Sequence, residues 1–166
     1  MFNRIFLTIF LISLSKFSGA DTLTQPPQNE ATLCSEDEDI YFSCPLDDGK
    51  IVSVCAKNNT TPNHGYVRYR YGIESDIFEY PRENIPPRGH FVISDVSEGT
   101  IRGLHLKFSI GKFTYVVSSV WPGEIYVSKN NKIVFDKQCQ ASRYKSFSND
   151  IFNGIEQAPP SKVDIH

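Results

Sequence analysis

Apolar and polar residues alternate in many short runs between residues 40 and 135. The clearest alternation lies in residues 101–110. There the apolar set is Leu104, Leu106, Phe108 and Ile110, and the set between them is Gly103, His105, Lys107 and Ser109. Since successive side chains of a strand point to opposite faces of its sheet, this pattern predicts a strand with one buried face and one face in water. In the next run Phe113, Tyr115 and Val117 share a face in the same way.

Turn residues separate these runs and define the order of strands. The runs predicted as strands are residues 40–44, 51–55, 65–71, 76–80, 91–96, 101–110, 112–120, 124–128 and 133–135. Asp48-Gly49 and Asn130-Asn131 are typical of tight hairpin turns, because Gly and Asn tolerate a positive φ. The sequence therefore predicts an all-β fold, an antiparallel meander of about eight or nine strands in a small barrel or sandwich with disordered ends.

The first twenty residues have the features of a secretory signal peptide. Arg4 supplies a positive start, residues 5–14 are almost all apolar, and residues 18–20 offer the small side chains of a cleavage site. We therefore expect cleavage after Ala20 and a periplasmic or secreted mature protein. The apolar run is too short to cross a bilayer and no later stretch approaches that length, so no membrane span is expected.

The same pattern predicts the organisation of the chain. Residues 1–20 form the signal peptide, and residues 21–33, which offer little to bury, form a flexible leader. Residues 34–139 form the β-barrel or sandwich domain. Residues 140–166 lose the alternation and are expected to be a C-terminal tail, in which residues 146–155 are a candidate for one short helix.

Charge excludes one class of partner. The chain has 17 basic and 19 acidic side chains, and removal of Arg4 and Lys16 with the signal leaves 15 and 19, a net charge of −4. A nucleic-acid-binding domain needs a basic face, so we expect no nucleic-acid partner. A weakly acidic balance is compatible with a basic protein partner and is also ordinary for solubility.

Four cysteines follow the expected cleavage site, namely Cys34, Cys44, Cys55 and Cys139. An even number of cysteines in an exported chain predicts two disulfides. Pairing of Cys44 with Cys139 ties the first strand to the last, with Cys34 folding back to Cys55. Pairing of Cys44 with Cys55 across the first hairpin is less well aligned. Four cysteines allow three connectivities, and the sequence does not decide among them.

Sequence signatures of catalysis are missing. The chain has no Gly-x-Ser-x-Gly, no His-Glu-x-x-His and no glycine-rich phosphate loop. With its cysteines oxidised, thiol catalysis and thiolate coordination of a metal are not expected. The acidic residues 35–39 lack the alternating ligands and glycine turn of a calcium loop. We therefore expect no enzyme activity, no catalytic residues, no metal and no cofactor.

Three segments are candidates for contact with a protein partner. They supply Arg68 and Arg70 of a Tyr/Arg-rich strand, Glu98 and Arg102 of a polar loop, and Trp121 beside a Pro-Gly turn. Tyr, Trp and Arg dominate the hot spots of protein interfaces, and small polar loops can insert into a partner's cleft.

Each candidate segment also has a purely structural interpretation. The two arginines can pair with Glu74, Glu79 or Glu83 of the same sheet. The polar loop can be an ordinary turn, and the single Trp of a small domain is more often part of the core.

Several segments resemble a group of small exported proteobacterial proteins without an assigned function. They are Phe42-Ser43-Cys44, residues 49–55, residues 66–72, residues 111–117 and residues 130–139, so the resemblance covers about residues 34–139. The order of elements is also similar to that of the periplasmic inhibitors of C-type lysozyme. This resemblance implies a small barrel whose last strand ends in a cysteine bonded to the first strand, and a loop that enters the lysozyme cleft. The tyrosine of that loop is missing from residues 97–102.

We therefore expect a non-enzymatic periplasmic binding protein that docks a loop or a strand face onto a lysozyme-like hydrolase or a toxin, as an inhibitor or immunity-type protein. The alternatives are a small-ligand carrier and a structural component of the cell envelope. An apolar cavity of several hundred cubic ångströms favours the carrier, and a filled interior favours the inhibitor.

Overall fold

The computed structural model describes residues 31–165, which form two β-sheets packed as a sandwich. The first sheet contains, in order, β1 (Asp39–Pro45), β2 (Ile51–Lys57), β3 (Tyr66–Ile73) and β4 (Asp76–Tyr80). The second contains β5 (Val92–Asp95), β6 (Leu104–Ile110), β7 (Phe113–Ser118), β8 (Glu124–Lys129) and β9 (Lys132–Gln138). A short helix α1 (Ile151–Gly154) precedes β10 (Glu156–Gln157), which pairs in parallel with β5. The predicted all-β meander is confirmed, as a sandwich rather than a closed barrel.

The two predicted hairpin turns have the backbone that their residues favour. Gly49 has φ of 81° between β1 and β2, and Asn130 and Asn131 have φ of 52° and 61° between β8 and β9. Two successive positive φ values are the requirement of the hairpin turn whose twist matches its strands. This turn places Lys129 opposite Lys132.

Large aromatic side chains fill the space between the sheets. The ring of Phe108 in β6 stacks on Tyr80 of the first sheet and on Tyr115 of β7, with both pairs of ring centroids 4.8 Å apart. Tyr69 of β3 lies 4.9 Å from the same ring and is almost completely buried. Each such pair adds about 0.5–1.5 kcal/mol beyond its burial, so this aromatic cluster holds the two sheets together.

Both disulfides are formed. Cys44 bonds to Cys139, which joins β1 to the end of β9, and Cys34 bonds to Cys55 of β2, with Cα–Cα distances of 5.1 and 5.4 Å. Of the three connectivities, the one that ties the first strand to the last is therefore the one observed. Two disulfides indicate that the chain folds in an oxidising compartment.

No helix within residues 31–165 is long and apolar enough to cross a membrane.

The N-terminal end differs in part from the expectation of a flexible leader. The predicted signal peptide and residues 21–30 lie outside the described residues. Residues 31–33 are ordered against the first sheet, where the amide nitrogen of Leu33 donates a hydrogen bond to Ser53 Oγ (2.9 Å). The acidic segment that follows is not fully solvated, because Glu38 is buried.

The C-terminal end also differs from its expectation, because residues 140–165 pack against the sandwich. Ile151 and Ile155 are completely buried, and Ser94 Oγ donates to the carbonyl oxygen of Ala158 (2.7 Å). The helix expected at residues 146–155 is reduced to the four residues of α1.

The outward face of β6 is covered rather than open to water. His105 and Lys107, expected to face solvent, are buried beneath the C-terminal segment. The carboxylate of Asp164 lies between them, 2.9 Å from His105 Nδ1 and in an ion pair with Lys107. The backbone N–H of Ser161 also donates to this carboxylate (2.6 Å). The alternating pattern predicted a solvent-exposed face, and in the structure this face is covered by an ion cluster of His105, Lys107 and Asp164.

A buried amide connects α1 to the loop between β2 and β3. Asn59 Nδ2 lies 3.0–3.1 Å from the carbonyl oxygens of Thr61, His64 and Gly154. Tyr41 Oη donates to Asn59 Oδ1 (3.0 Å). The Asn59 side chain therefore fixes both the loop and the helix against the first sheet.

The ion cluster under the C-terminal segment predicts a pH-dependent stability. Burial acts to raise the pKa of Asp164, but hydrogen bonds from Lys107, the Ser161 backbone and His105 outweigh it and hold this pKa below its ordinary value of 3.8. Asp164 therefore stabilises the fold above pH 3.8, and this contribution is lost as the pH falls through the lower folded value. We expect Asp164→Asn to reduce the free energy of unfolding at neutral pH. The difference from wild type should shrink below about pH 4, as measured by denaturant unfolding at several pH values. A difference that does not change with pH would contradict this assignment.

Candidate ligand-binding cleft

One end of the interface between the sheets is an open cleft rather than filled core. On the second sheet, strand register places Tyr115, Val127 and Phe135 side by side on one face. On the first sheet, Tyr71 and Phe78 lie opposite each other in β3 and β4. The complete lining consists of aromatic and aliphatic side chains: Tyr69, Tyr71, Phe78, Phe113, Tyr115, Ile125, Val127, Val134 and Phe135. We call this space the aromatic cleft.

The aromatic cleft has the size and shape of a small-molecule site. Its volume is about 450 Å³, which lies within the range of about 300–1,000 Å³ typical of ligand pockets. Its floor is closed by Tyr69 and Ile125, which are each 1% exposed. At its mouth Phe78, Phe113 and Val134 are 38%, 36% and 54% exposed, so these apolar groups are in contact with water.

Few polar groups reach the aromatic cleft, and they are mainly tyrosine hydroxyls. Lys50 Nζ donates to Tyr71 Oη (3.4 Å) at one side. Burial, with a smaller effect from Tyr71 and Tyr115, raises the pKa of Tyr69 well above its ordinary value. The Tyr69 hydroxyl therefore stays protonated at neutral pH and acts as a hydrogen-bond donor or acceptor, not as a charge.

A lysine stands at the mouth of the aromatic cleft. The ammonium group of Lys129 lies 5.1 Å from the centroid of the Phe113 ring. A cation over an aromatic face is attracted by the ring quadrupole. The ring thus holds the positive charge of Lys129 beside the apolar lining.

A second, wider groove lies under the C-terminal segment and has a different character. It measures about 680 Å³ and runs beside His90, Lys107, Thr114 and Ser161. Much of its lining is polar, and part of it is the ion cluster of Asp164. The aromatic cleft is the better ligand site, because its lining is almost entirely apolar.

The two arginines expected to form a sticky surface are bound within the protein. Arg70 is 5% exposed and forms ion pairs with Glu38 and Glu79, the latter at 2.7 Å. Its Nη1 also donates to the carbonyl oxygen of Leu33 (3.0 Å). Arg68 donates through Nη2 to Asn84 Oδ1 (2.6 Å). Pairing with Glu79 matches the structural alternative for this strand, and Arg70 presents no free guanidinium to a partner.

Electrostatics confirm that the Arg70 cluster is tightly coupled. Burial acts to raise the pKa of Glu38. Hydrogen bonds from Arg70, the Ser35 backbone and Tyr66 outweigh this effect and hold that pKa below its ordinary value. Burial alone would lower the pKa of Arg70, and the two glutamates raise it instead. Both charges therefore persist at neutral pH although they lie away from water.

The other three predicted contact residues lie at one end of the second sheet. Glu98 is exposed in a tight turn closed by backbone hydrogen bonds to Ile101, and Arg102 follows it. Trp121 is 75% exposed and is not part of the core. Its loop packs against the turn segment, because a Cβ on Gly103 would collide with Val120. The structure thus brings two of the three segments together and leaves the Arg68 and Arg70 strand in the other sheet.

One group of side chains is of the kinds that bind metal ions, but its ligand atoms are already bonded within the protein. Cys34, Glu38 and Cys55 approach one another closely. The two sulfurs are bonded to each other, and Glu38 is occupied by Arg70. This group therefore offers no thiolate for a metal ion.

Sequence reasoning did not find the aromatic cleft as a site. The alternation predicts that Phe113, Tyr115 and Val117 share one face, and the structure shows that the first two line an open cleft. The signal that points to a cleft is the density of rings on facing strands, since Tyr69, Tyr71 and Phe78 also line it.

A comparison of the chain with protein-family models, with curated proteins and with solved structures gives no match. We therefore infer function from the geometry of the aromatic cleft and of the neighbouring loops.

The buried Arg70 cluster predicts a large cost of substitution. We expect Arg70→Met to lower the free energy of unfolding by about 3 kcal/mol, because Glu38 would be left buried without its cation. The matched control is Arg88→Met, which breaks an exposed pair with Glu156 and should cost less than about 1 kcal/mol. Denaturant unfolding of both variants measures the difference. Equal costs would show that the Arg70 cluster is not a structural element.

Proposed function

We propose that the mature protein is a non-enzymatic periplasmic binding protein that holds a small apolar or aromatic molecule in the aromatic cleft. The observation that carries the proposal is a cleft of about 450 Å³ lined by nine aromatic and aliphatic residues. Such a lining, with three tyrosine side chains among the apolar ones, is the usual composition of a small-molecule site. Of the functions expected from the sequence, it favours the carrier.

Burial of the exposed apolar side chains by the ligand would supply the binding free energy. Phe78, Phe113 and Val134 present apolar surface to water, and covering such surface contributes about 25 cal/mol per Å². The cleft lies between sheets fixed by the aromatic cluster and by the Cys44–Cys139 bond. A ligand therefore enters a preformed site, and little binding energy is lost in ordering the protein.

A periplasmic location is supported by the predicted signal peptide and by the two disulfides, which are typical of proteins that fold in an oxidising compartment. A carrier in the periplasm would bind molecules that water dissolves poorly and keep them from aggregating or entering a membrane.

Filling the cleft tests the proposal. Val134 lines the mouth of the cleft, and its neighbour Ile133 is 41% exposed but does not line it. We expect the neutral fluorescent dye N-phenyl-1-naphthylamine to bind wild type, and Val134→Trp to weaken this binding at least about tenfold. The tryptophan would occupy the space that the dye requires.

Ile133→Trp is the matched control, because it adds the same side chain to the same strand outside the cleft. It should leave the dye's Kd unchanged in the same fluorescence titration. Absence of dye binding by wild type, or equal loss in both variants, would refute binding in the aromatic cleft.

A second function is favoured by the adjacent exposed loops. Trp121 and Ile101 are 75% and 58% exposed on loops that pack together, beside the charged Glu98 and Arg102. An exposed tryptophan on a loop that packs against a charged turn has the composition of an interface hot spot. This end of the sandwich would dock onto a lysozyme-like hydrolase or a toxin.

Alanine substitution tests the docking function. Trp121→Ala should weaken binding to the captured hydrolase or toxin by about 2 kcal/mol, and Glu98→Ala or Arg102→Ala by about 1 kcal/mol. Phe152→Ala is the control, since Phe152 is 38% exposed in α1 and belongs to neither loop. Calorimetric titration against purified lysozymes and periplasmic toxins provides the measurement. Loss of affinity in the control alone would assign docking to another face.

A further inference from the structure

We propose that the ligand of the aromatic cleft is an anionic amphiphile, an apolar chain or ring that ends in one carboxylate. Its carboxylate is bound by Lys129 and Lys132. We call these two residues the lysine row. The inference rests on the proposed ligand-binding function and specifies the chemical class of the ligand.

Strand register places the lysine row on the same face as the lining of the cleft. Tyr115, Val127 and Phe135 are cross-strand neighbours in β7, β8 and β9. Two residues further along β7 and β8, and three along β9 because the register shifts there by one residue, the neighbours are Phe113, Lys129 and Lys132. Directly opposed residues of an antiparallel pair project from the same face of their sheet. The apolar row is therefore followed, about 7 Å further out, by a row that is cationic.

The lysine row is not neutralised by the protein. Residues 127–135 contain Lys129 and Lys132 but no Asp or Glu. Within residues 31–165, neither lysine forms an ion pair, whereas Lys57 and Lys107 each pair with an aspartate. Two uncompensated cations in a chain with an acidic net charge create a local positive potential at the mouth of the cleft.

One lysine of the row is already positioned. Lys129 is exposed but its ammonium group lies 5.1 Å from the centroid of the Phe113 ring, which itself lines the cleft. The Phe113 ring would thus contact the apolar part of the ligand. It also holds the Lys129 ammonium group, which the carboxylate of the ligand would meet. An amphiphile aligned along the cleft would bury its tail against Tyr115 and Val127 while its head stays at the wet rim.

Two ligands with the same tail separate the charge from the apolar contact. Dodecanoate and dodecanol differ only in their head groups, and each is measured by displacement of N-phenyl-1-naphthylamine from wild type. We expect dodecanoate to bind about fivefold more tightly than dodecanol, an advantage that high salt reduces.

Removing the charges of the lysine row should abolish the preference for dodecanoate over dodecanol and leave the binding of neutral ligands unchanged. We expect the double variant Lys129→Gln and Lys132→Gln to weaken dodecanoate binding about fivefold and to leave dodecanol and the dye unchanged. Lys57→Gln removes one positive charge from the first sheet, away from the cleft, and should change none of the three affinities. Thermal unfolding of each variant verifies that the exposed substitutions leave the fold intact.

The failures of the two proposals are distinguishable. If the dye and dodecanol bind wild type but the two ligands have equal affinity, or Lys57→Gln matches the double variant, the anionic class is refuted and the apolar cleft stands. If neither the dye nor dodecanol binds, the ligand-binding function itself fails. A concentration-dependent dimer that competes with the dye would identify the cleft as a contact between two copies and overturn the inference.

Discussion

The relative position of the two sheets is the constraint on which the rest of the structure depends, because no strand belongs to both within the described residues. Side-chain contacts, one covalent bond and the backbone bridge between Leu46 and Cys139 must therefore set the distance between them. The Phe108 ring, stacked on Tyr80 and Tyr115, fixes the centre of the sandwich. The Cys44–Cys139 bond fixes β1 against the end of β9. Where these contacts end, the same kind of aromatic side chain lines a cleft instead of a core.

The outer face of each sheet is covered by a terminal segment that brings in a carboxylate. On the first sheet, the segment from Leu33 to Glu38 covers Arg70 and supplies a buried carboxylate. On the second, the C-terminal segment covers Lys107 and supplies Asp164. Each terminal segment is thus held by a carboxylate that pairs with an outward-facing cation of a central strand. Since a buried charge without its partner is costly, each pair disfavours any register of its segment that would separate the two charges.

Sequence patterning predicted what depends on neighbours along the chain. The alternation in residues 101–110 identified β6, and Asn130-Asn131 identified the turn between β8 and β9. The expected disorder of the C-terminal tail differs from the structure at residues 140–165, because that segment has no periodic apolar face. It is held by Asp164 and by a few isolated apolar residues such as Ile151 and Ile155, a set that no local pattern reveals.

The candidate site depended on information that alternation does not contain. Alternation shows that Tyr69 and Phe113 point inward, but not whether the facing sheet is close enough to cover them. Trp121 illustrates the same limit, because the general tendency of a lone Trp to be core does not hold for this loop. Register across three strands, which aligns Lys129 and Lys132 with the cleft, becomes visible only when the strands are paired.

The Asn59 side chain has a further consequence for carbohydrate attachment. Residues 58–61 contain two overlapping acceptor sites for an N-linked glycan, one at Asn58 and one at Asn59. The Asn59 amide nitrogen faces three carbonyl oxygens inside the protein, whereas Asn58 is exposed with φ of 53°. A sugar transferred to Asn59 before folding would therefore prevent α1 from docking, and only Asn58 could carry one on the finished molecule.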